Sequence, residues 1–157
     1  MRNLTPKRIE VDEIWSFCYA KAKNVPGQHE GEWGYGDVWT WVAMDPETKL
    51  LALWFVGTRD GLSGRIFIDE VRTRLTGRFQ LTSDGHHAYM EAVRGLFKDD
   101  IDYAQLVKLY GPDPTDTGRY SPAACLGATK KVRFGIPTKT RFRLRWSNDR
   151  TSQCECA

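Results

Sequence analysis

Apolar and polar residues alternate from Ile9 through Glu10 and Val11 to Asp12, the two-residue period of a strand. Aromatic residues continue the segment at Trp15, Phe17 and Tyr19. Residues 24–36 hold Pro26, Gly27, Gly31, Gly34 and Gly36 and read as a polar loop. Val38 to Met44 is a β-rich apolar run, and Asp45-Pro46-Glu47-Thr48 is a turn whose proline pre-sets the second position. Leu50 to Val56 gives a third strand closed by Gly57. Three consecutive strands with short turns imply an antiparallel meander.

The period then changes. Phe67, Val71 and Leu75 are spaced by four, with Ile68 beside them and Arg65, Asp69, Arg72 and Arg74 elsewhere, which predicts an amphipathic helix. Phe79 to Ser83 is a short strand ended by Asp84-Gly85; Tyr89, Ala92, Val93, Leu96 and Phe97 form a second helix; Tyr103 to Tyr110 is a fifth strand. Beyond Gly111, proline and glycine recur and the periodicity is lost. The order β-β-β-α-β-α-β predicts an α/β fold of the RNase H-like plan, a mixed five-stranded sheet flanked by helices. The helix that normally closes that plan has no candidate here.

Composition narrows the reading. The 157 residues suit one domain with a real core. No apolar run approaches the roughly 20 residues of a membrane helix. Met1 to Arg8 is basic without an apolar stretch behind it, so a cytoplasmic location is expected. Cys18, Cys125, Cys154 and Cys156 fit neither a disulfide framework nor a paired zinc motif. The whole net charge of +3 falls in residues 136–157, because the preceding residues carry 18 basic and 18 acidic side chains.

Two acids carry the candidate chemistry. Asp12 interrupts a well-formed first strand and Asp84 ends the fourth. In an RNase H-like sheet these strands are neighbours, so both carboxylates converge near the sheet centre. Two close carboxylates repel unless a cation lies between them, and hard oxygen ligands favour Mg²⁺ or Mn²⁺. With a third acid, such a pair holds two ions for phosphodiester chemistry. An aspartate before glycine is also a common turn former. Glu13 is expected on the opposite face from Asp12, solvent-facing or as a hydrogen-bonding neighbour. His86 and His87 read as caps or surface residues, and the six tryptophans as core.

The segments Ile9-Glu10-Val11-Asp12-Glu13-Ile14-Trp15-Ser16-Phe17, Val38 to Asp45 and Leu81-Thr82-Ser83-Asp84-Gly85-His86 with Tyr89 resemble the motifs of the insertion sequence one family of transposases. Asp102 to Lys108 and Arg119 to Ala123 extend the likeness, which covers residues 8 to 135. The resemblance implies a DDE-type transposase core with Asp12 and Asp84 as its first two metal-binding acids. It also implies Mg²⁺ or Mn²⁺ as cofactor, insertion-element DNA ends as partner, and two-metal cleavage and strand transfer. This chain departs from the family twice. The first-acid motif stands close to Met1, so the family's upstream DNA-binding region is expected to be absent, and nothing after Tyr110 resembles the third-acid motif Ile-Ser-Thr-Ser-x-Val-Glu-Arg-x-Asn-Leu-Thr-x-Arg-Met.

Codon degeneracy accounts for the second departure. Read one base earlier, codons for Trp146 to Cys156 regroup as Val-Glu-Arg-Gln-Asn-Leu-Thr-Met-Arg-Met, and those for Arg141 to Arg145 supply Ile-Ser-Thr-Ser-Val. Cys154 and Cys156 can regroup only to Met, Val or Leu codons, and Asn148-Asp149 only to Arg or stop. Residues 1–135 are therefore expected to be an incomplete catalytic core, and 136–157 a basic, disordered out-of-frame tail without the catalytic glutamate. Apolar surface around Leu106 and Val107 is then expected to be partly bare. Strand transfer is expected to be defective. The alternatives are a non-catalytic fragment that associates with and inhibits full-length transposase, and an RNase H-like nuclease using Asp113 or Asp116; the expected partner besides DNA is a second copy in a homodimer or the full-length transposase.

Overall fold

The computed structural model describes residues 2–97, 100–111 and 124–137, with only the backbone described at 110, 111 and 124–126. The elements in chain order are β1 (Arg8–Cys18), β2 (Gly36–Met44), β3 (Leu51–Gly57), α1 (Gly61–Arg74), β4 (Gln80–Asp84), α2 (His87–Leu96), β5 (Asp102–Gly111) and β6 (Ala124–Phe134). They form a six-stranded mixed sheet in the order β3-β2-β1-β4-β5-β6. β1 runs antiparallel to β2, and β2 to β3, whereas β1, β4 and β5 are mutually parallel neighbours. The meander and the two helix-linked crossovers thus lie where the hydrophobic pattern put them.

β6 is the correction. The sequence beyond Gly111 was expected to be irregular, yet Ala124–Phe134 pairs antiparallel with β5 along its whole length. It is an edge strand bearing Lys130, Lys131 and Arg133, with Val132 54% exposed. A charged edge blocks pairing with further chains and shows no alternating apolar face to read. The pairing sets Lys130 beside Leu106. Leu106 is buried and Val107 half-buried, so the surface expected to be bare there is largely covered. Gly135 follows in a left-handed conformation (φ +67), where a Cβ would collide with the Asp102 carboxylate.

Both helices share one face of the sheet. Ile9, Val11, Trp41, Ala43, Leu81 and Tyr103 join Phe67, Ile68 and Val71 of α1 and Tyr89, Ala92 and Val93 of α2 in one core. α1 begins where the Asp60 carboxylate accepts the Ser63 N–H at 2.7 Å, satisfying an orphan donor of the first turn. α2 is capped by His86, whose Nδ1 accepts the Ala88 N–H at 3.3 Å. Gly64 lets the helices approach: a Cβ there would lie 3.0 Å from Ala88 Cβ and 3.4 Å from the Trp41 ring.

Tryptophan placement is more varied than the expected core. Trp41 is fully buried and donates from Nε1 to Thr58 O at 3.1 Å, but Trp15, Trp54 and Trp33 are 40, 62 and 91% exposed. The reason is sheet geometry: β1 and β2 run on past the helices, and β3 is an edge. The loop between β1 and β2 is not featureless either, since His29 stacks on Tyr35 at 4.3 Å and Tyr19 packs edge-on at 5.2 Å from Tyr35. The tail beyond Pro137, Asp113 and Asp116, and Trp146 lie outside the described residues. Among those residues no helix is long and apolar enough to cross a membrane.

Candidate metal centre

β1 and β4 pair in parallel from Arg8↔Gln80 to Val11↔Ser83, and the pairing stops there. Asp12 and Asp84 are the next residue on each strand, so the sequence-predicted acids emerge side by side where β4 ends against the middle of β1. Oxygen atoms of Asp12, Asp84 and Glu13 all lie within 4.8 Å of one another, an arrangement of acids able to hold a metal ion. All-oxygen donors suit a hard divalent cation.

Each aspartate is oriented by backbone. Asp12 Oδ1 accepts the Glu13 N–H at 2.9 Å, and Asp84 Oδ1 accepts the His86 N–H at 2.8 Å. Burial raises the Asp12 pKa to about 6, helped by the nearby Asp84 and Glu13 charges and opposed by the Glu13 N–H and by Lys108. Desolvation disfavours the anion and neighbouring anions add to the penalty. Asp12 therefore holds its proton to higher pH than an ordinary carboxylate, and a bound cation would offset that penalty.

Behind Asp84 is a hydrogen-bonded brace. Gln105 on β5 is buried and donates from Nε2 to Asp84 O at 3.2 Å and to His86 O at 3.4 Å. Arg133 of β6 in turn donates to Gln105 Oε1 at 3.0 Å. Ser83 is fully buried, shares a 2.8 Å hydrogen bond with Tyr103 Oη and donates to Asp84 O at 2.8 Å. Burial pushes the Tyr103 phenol up to about 12, so it serves as a neutral hydrogen-bonding group. The edge strand that the sequence concealed thus reaches the site through Gln105.

Glu13 departs most from expectation. Alternation does turn it to the face opposite Asp12, but that face is the helix-covered one. Its side chain is only 2% exposed, opposite Trp41 in the register. Oε2 pairs with Arg59 Nε at 3.2 Å, and the Arg59 guanidinium lies over the Trp39 ring at 4.7 Å. Because β4 has ended, no neighbouring backbone closes the gap beside Glu13, and its carboxylate reaches the aspartates. Tyr89 on α2 comes from the other side, packed edge-on to Trp41 at 5.3 Å. Burial, then the carboxylates of Glu13, Asp84 and Asp12, raise its pKa far above the ordinary phenol value. A signal for Glu13 existed: an acid in register with core residues Ile9 and Val11 must face the core too.

His86 caps α2 and contacts Trp41 edge-on at 6.1 Å, whereas His87 is exposed. No protein-family model and no curated protein matches the chain. Among solved structures, it is similar to a piggyBac transposase in a synaptic complex with hairpin DNA, with 13% identity and a TM-score of 0.44 over 76% of this chain. The chain spans 25% of the length of that transposase chain.

Proposed function

We propose that the chain is the catalytic core of a DDE-type DNA transposase related to the insertion sequence one family, with Asp12 and Asp84 as its first two metal-binding acids. The observation that carries this reading is the parallel register of β1 and β4, which ends one residue before each aspartate and sets their oxygens within 4.8 Å. The mixed six-stranded sheet flanked by two helices, ordered β3-β2-β1-β4-β5-β6, is compatible with this reading and supports it. Support for the family also comes from the motifs around both acids.

The acids fit Mg²⁺ or Mn²⁺. With the third acid in place, ions bound there would activate a water or 3′-hydroxyl and steady the leaving oxygen of a phosphodiester. The chain's own residues supply positioning. The Glu13 and His86 N–H groups fix one oxygen of each aspartate, the Gln105 brace holds the Asp84 backbone, and Trp41 with α2 excludes water from one side. Rigid placement of this kind is most of what a phosphoryl-transfer site requires. The substrate is DNA at the ends of an insertion element, handled in the cytoplasm by a homodimer or with a full-length transposase.

The third acid is missing because the reading frame shifts near residue 136, so that its codon straddles Ser147 and Asn148. Strand transfer is therefore defective in this chain. A Mg²⁺- or Mn²⁺-dependent strand-transfer assay on the element's own ends tests this. Activity is expected only after the frame is restored; robust transfer by the 157-residue chain would contradict the defect, and no activity in the restored chain would contradict the transposase reading.

A further inference from the structure

The two aspartates leave part of the cluster unexplained. Glu13 Oε1 is buried without a hydrogen-bond partner, although Oε2 has Arg59. Tyr89 Oη, on a fully buried side chain, likewise makes no well-formed hydrogen bond, although it lies against the Glu13 carboxylate and near Asp84 and Asp12. Leaving a buried acceptor and a buried hydroxyl unsatisfied is costly. One oxygen of the same Glu13 carboxylate lies within 4.8 Å of aspartate oxygens, and Tyr89 interacts with all three acids. A hydrated divalent cation satisfies every group at once, with carboxylate oxygens as ligands and a bound water shared with the phenol.

We propose that Glu13 is the third carboxylate of this centre, and that Tyr89 positions a cation-bound water from the helix side. The inference rests on the proposed role of Asp12 and Asp84 and adds a ligand from the same strand as Asp12. Three carboxylates within 4.8 Å are an anionic cage suited to one cation. Adjacent to Asp12, Glu13 cannot replace an acid on a separate helix that would hold a second ion. The chain thus binds a single divalent ion while remaining defective in strand transfer. Arg59 competes with that ion for the Glu13 charge, and its guanidinium is 40% exposed and stacked over the Trp39 ring.

The test is Mn²⁺ binding to the full chain, read as loss of the free-ion electron paramagnetic resonance signal, with circular dichroism as the folding control. Asp84→Asn and Glu13→Gln are each expected to weaken binding about tenfold or more, and Tyr89→Phe by a smaller factor within the range of indirect metal contacts. Arg59→Gln is expected to tighten binding, because it removes a competing cation without touching a ligand; this arm stands even if Glu13→Gln fails to fold. Wild-type affinity in Glu13→Gln, or unchanged or weaker binding in Arg59→Gln, would overturn the role of Glu13 while Asp84→Asn still upholds the aspartate site. Absence of Mn²⁺ binding by the unaltered chain would overturn both.

Discussion

Replacing Asp12 by asparagine should make the metal-free protein more stable at neutral pH. Asparagine is nearly isosteric, and its Oδ1 can still accept the Glu13 N–H. What it removes is an anion whose pKa is lifted from 3.8 to about 6, first by burial and then by Asp84 and Glu13. The folded state holds that proton more tightly than the unfolded chain does. Protonation therefore stabilises fully below the unfolded pKa, and the contribution is lost as pH rises through about 6. The lift corresponds to about 3 kcal/mol between the extremes, at about 1.4 kcal/mol per pH unit. Urea unfolding followed by tryptophan fluorescence at pH 7.5 should show Asp12→Asn ahead by most of this amount, with about half the gain gone at pH 5. Millimolar Mg²⁺ should raise the stability of the unaltered chain and leave Asp12→Asn behind. A variant no more stable than its parent at pH 7.5, or equally favoured at both pH values, would refute the electrostatic account of the site.

Other expectations follow from the same geometry. Mn²⁺ affinity should fall about tenfold per unit as pH drops below about 6, because Asp12 must lose its proton to become a ligand; a flat profile from pH 7 to 5 would contradict this. Gln105→Ala removes the donor to the Asp84 and His86 carbonyls and should weaken Mn²⁺ binding about tenfold, measured by calorimetry, without touching a carboxylate. Gly64→Val should cost about 1–3 kcal/mol in urea unfolding, since its branches press on Ala88 and Trp41. Sequencing the gene across codons 130–157 should show bases that regroup to the third-acid motif one base earlier.

The parts of the fold that depend on periodicity were legible. The meander, both helices and the positions of Asp12 and Asp84 follow from alternating or four-spaced apolar residues, because each element buries one side of itself. Features fixed by neighbours in space were not. β6 carries lysines and arginine on an exposed edge, so burial left no pattern in it. Gln105 reads as an ordinary strand residue, and its brace exists only because Asp84 and His86 end up beside it. Glu13 was legible in direction but not in consequence: alternation assigned its face correctly, and only packing showed that face to be covered by α2. Arg59, which neutralises it, is 46 residues away in the chain.

The most direct test of the central claim is anomalous diffraction from crystals of this chain soaked in Mn²⁺. The account predicts a peak between the Asp12 and Asp84 carboxylates, with ligand oxygens about 2.0–2.6 Å away. A Mn²⁺ ion bound elsewhere, with no density between the two aspartates, would contradict it.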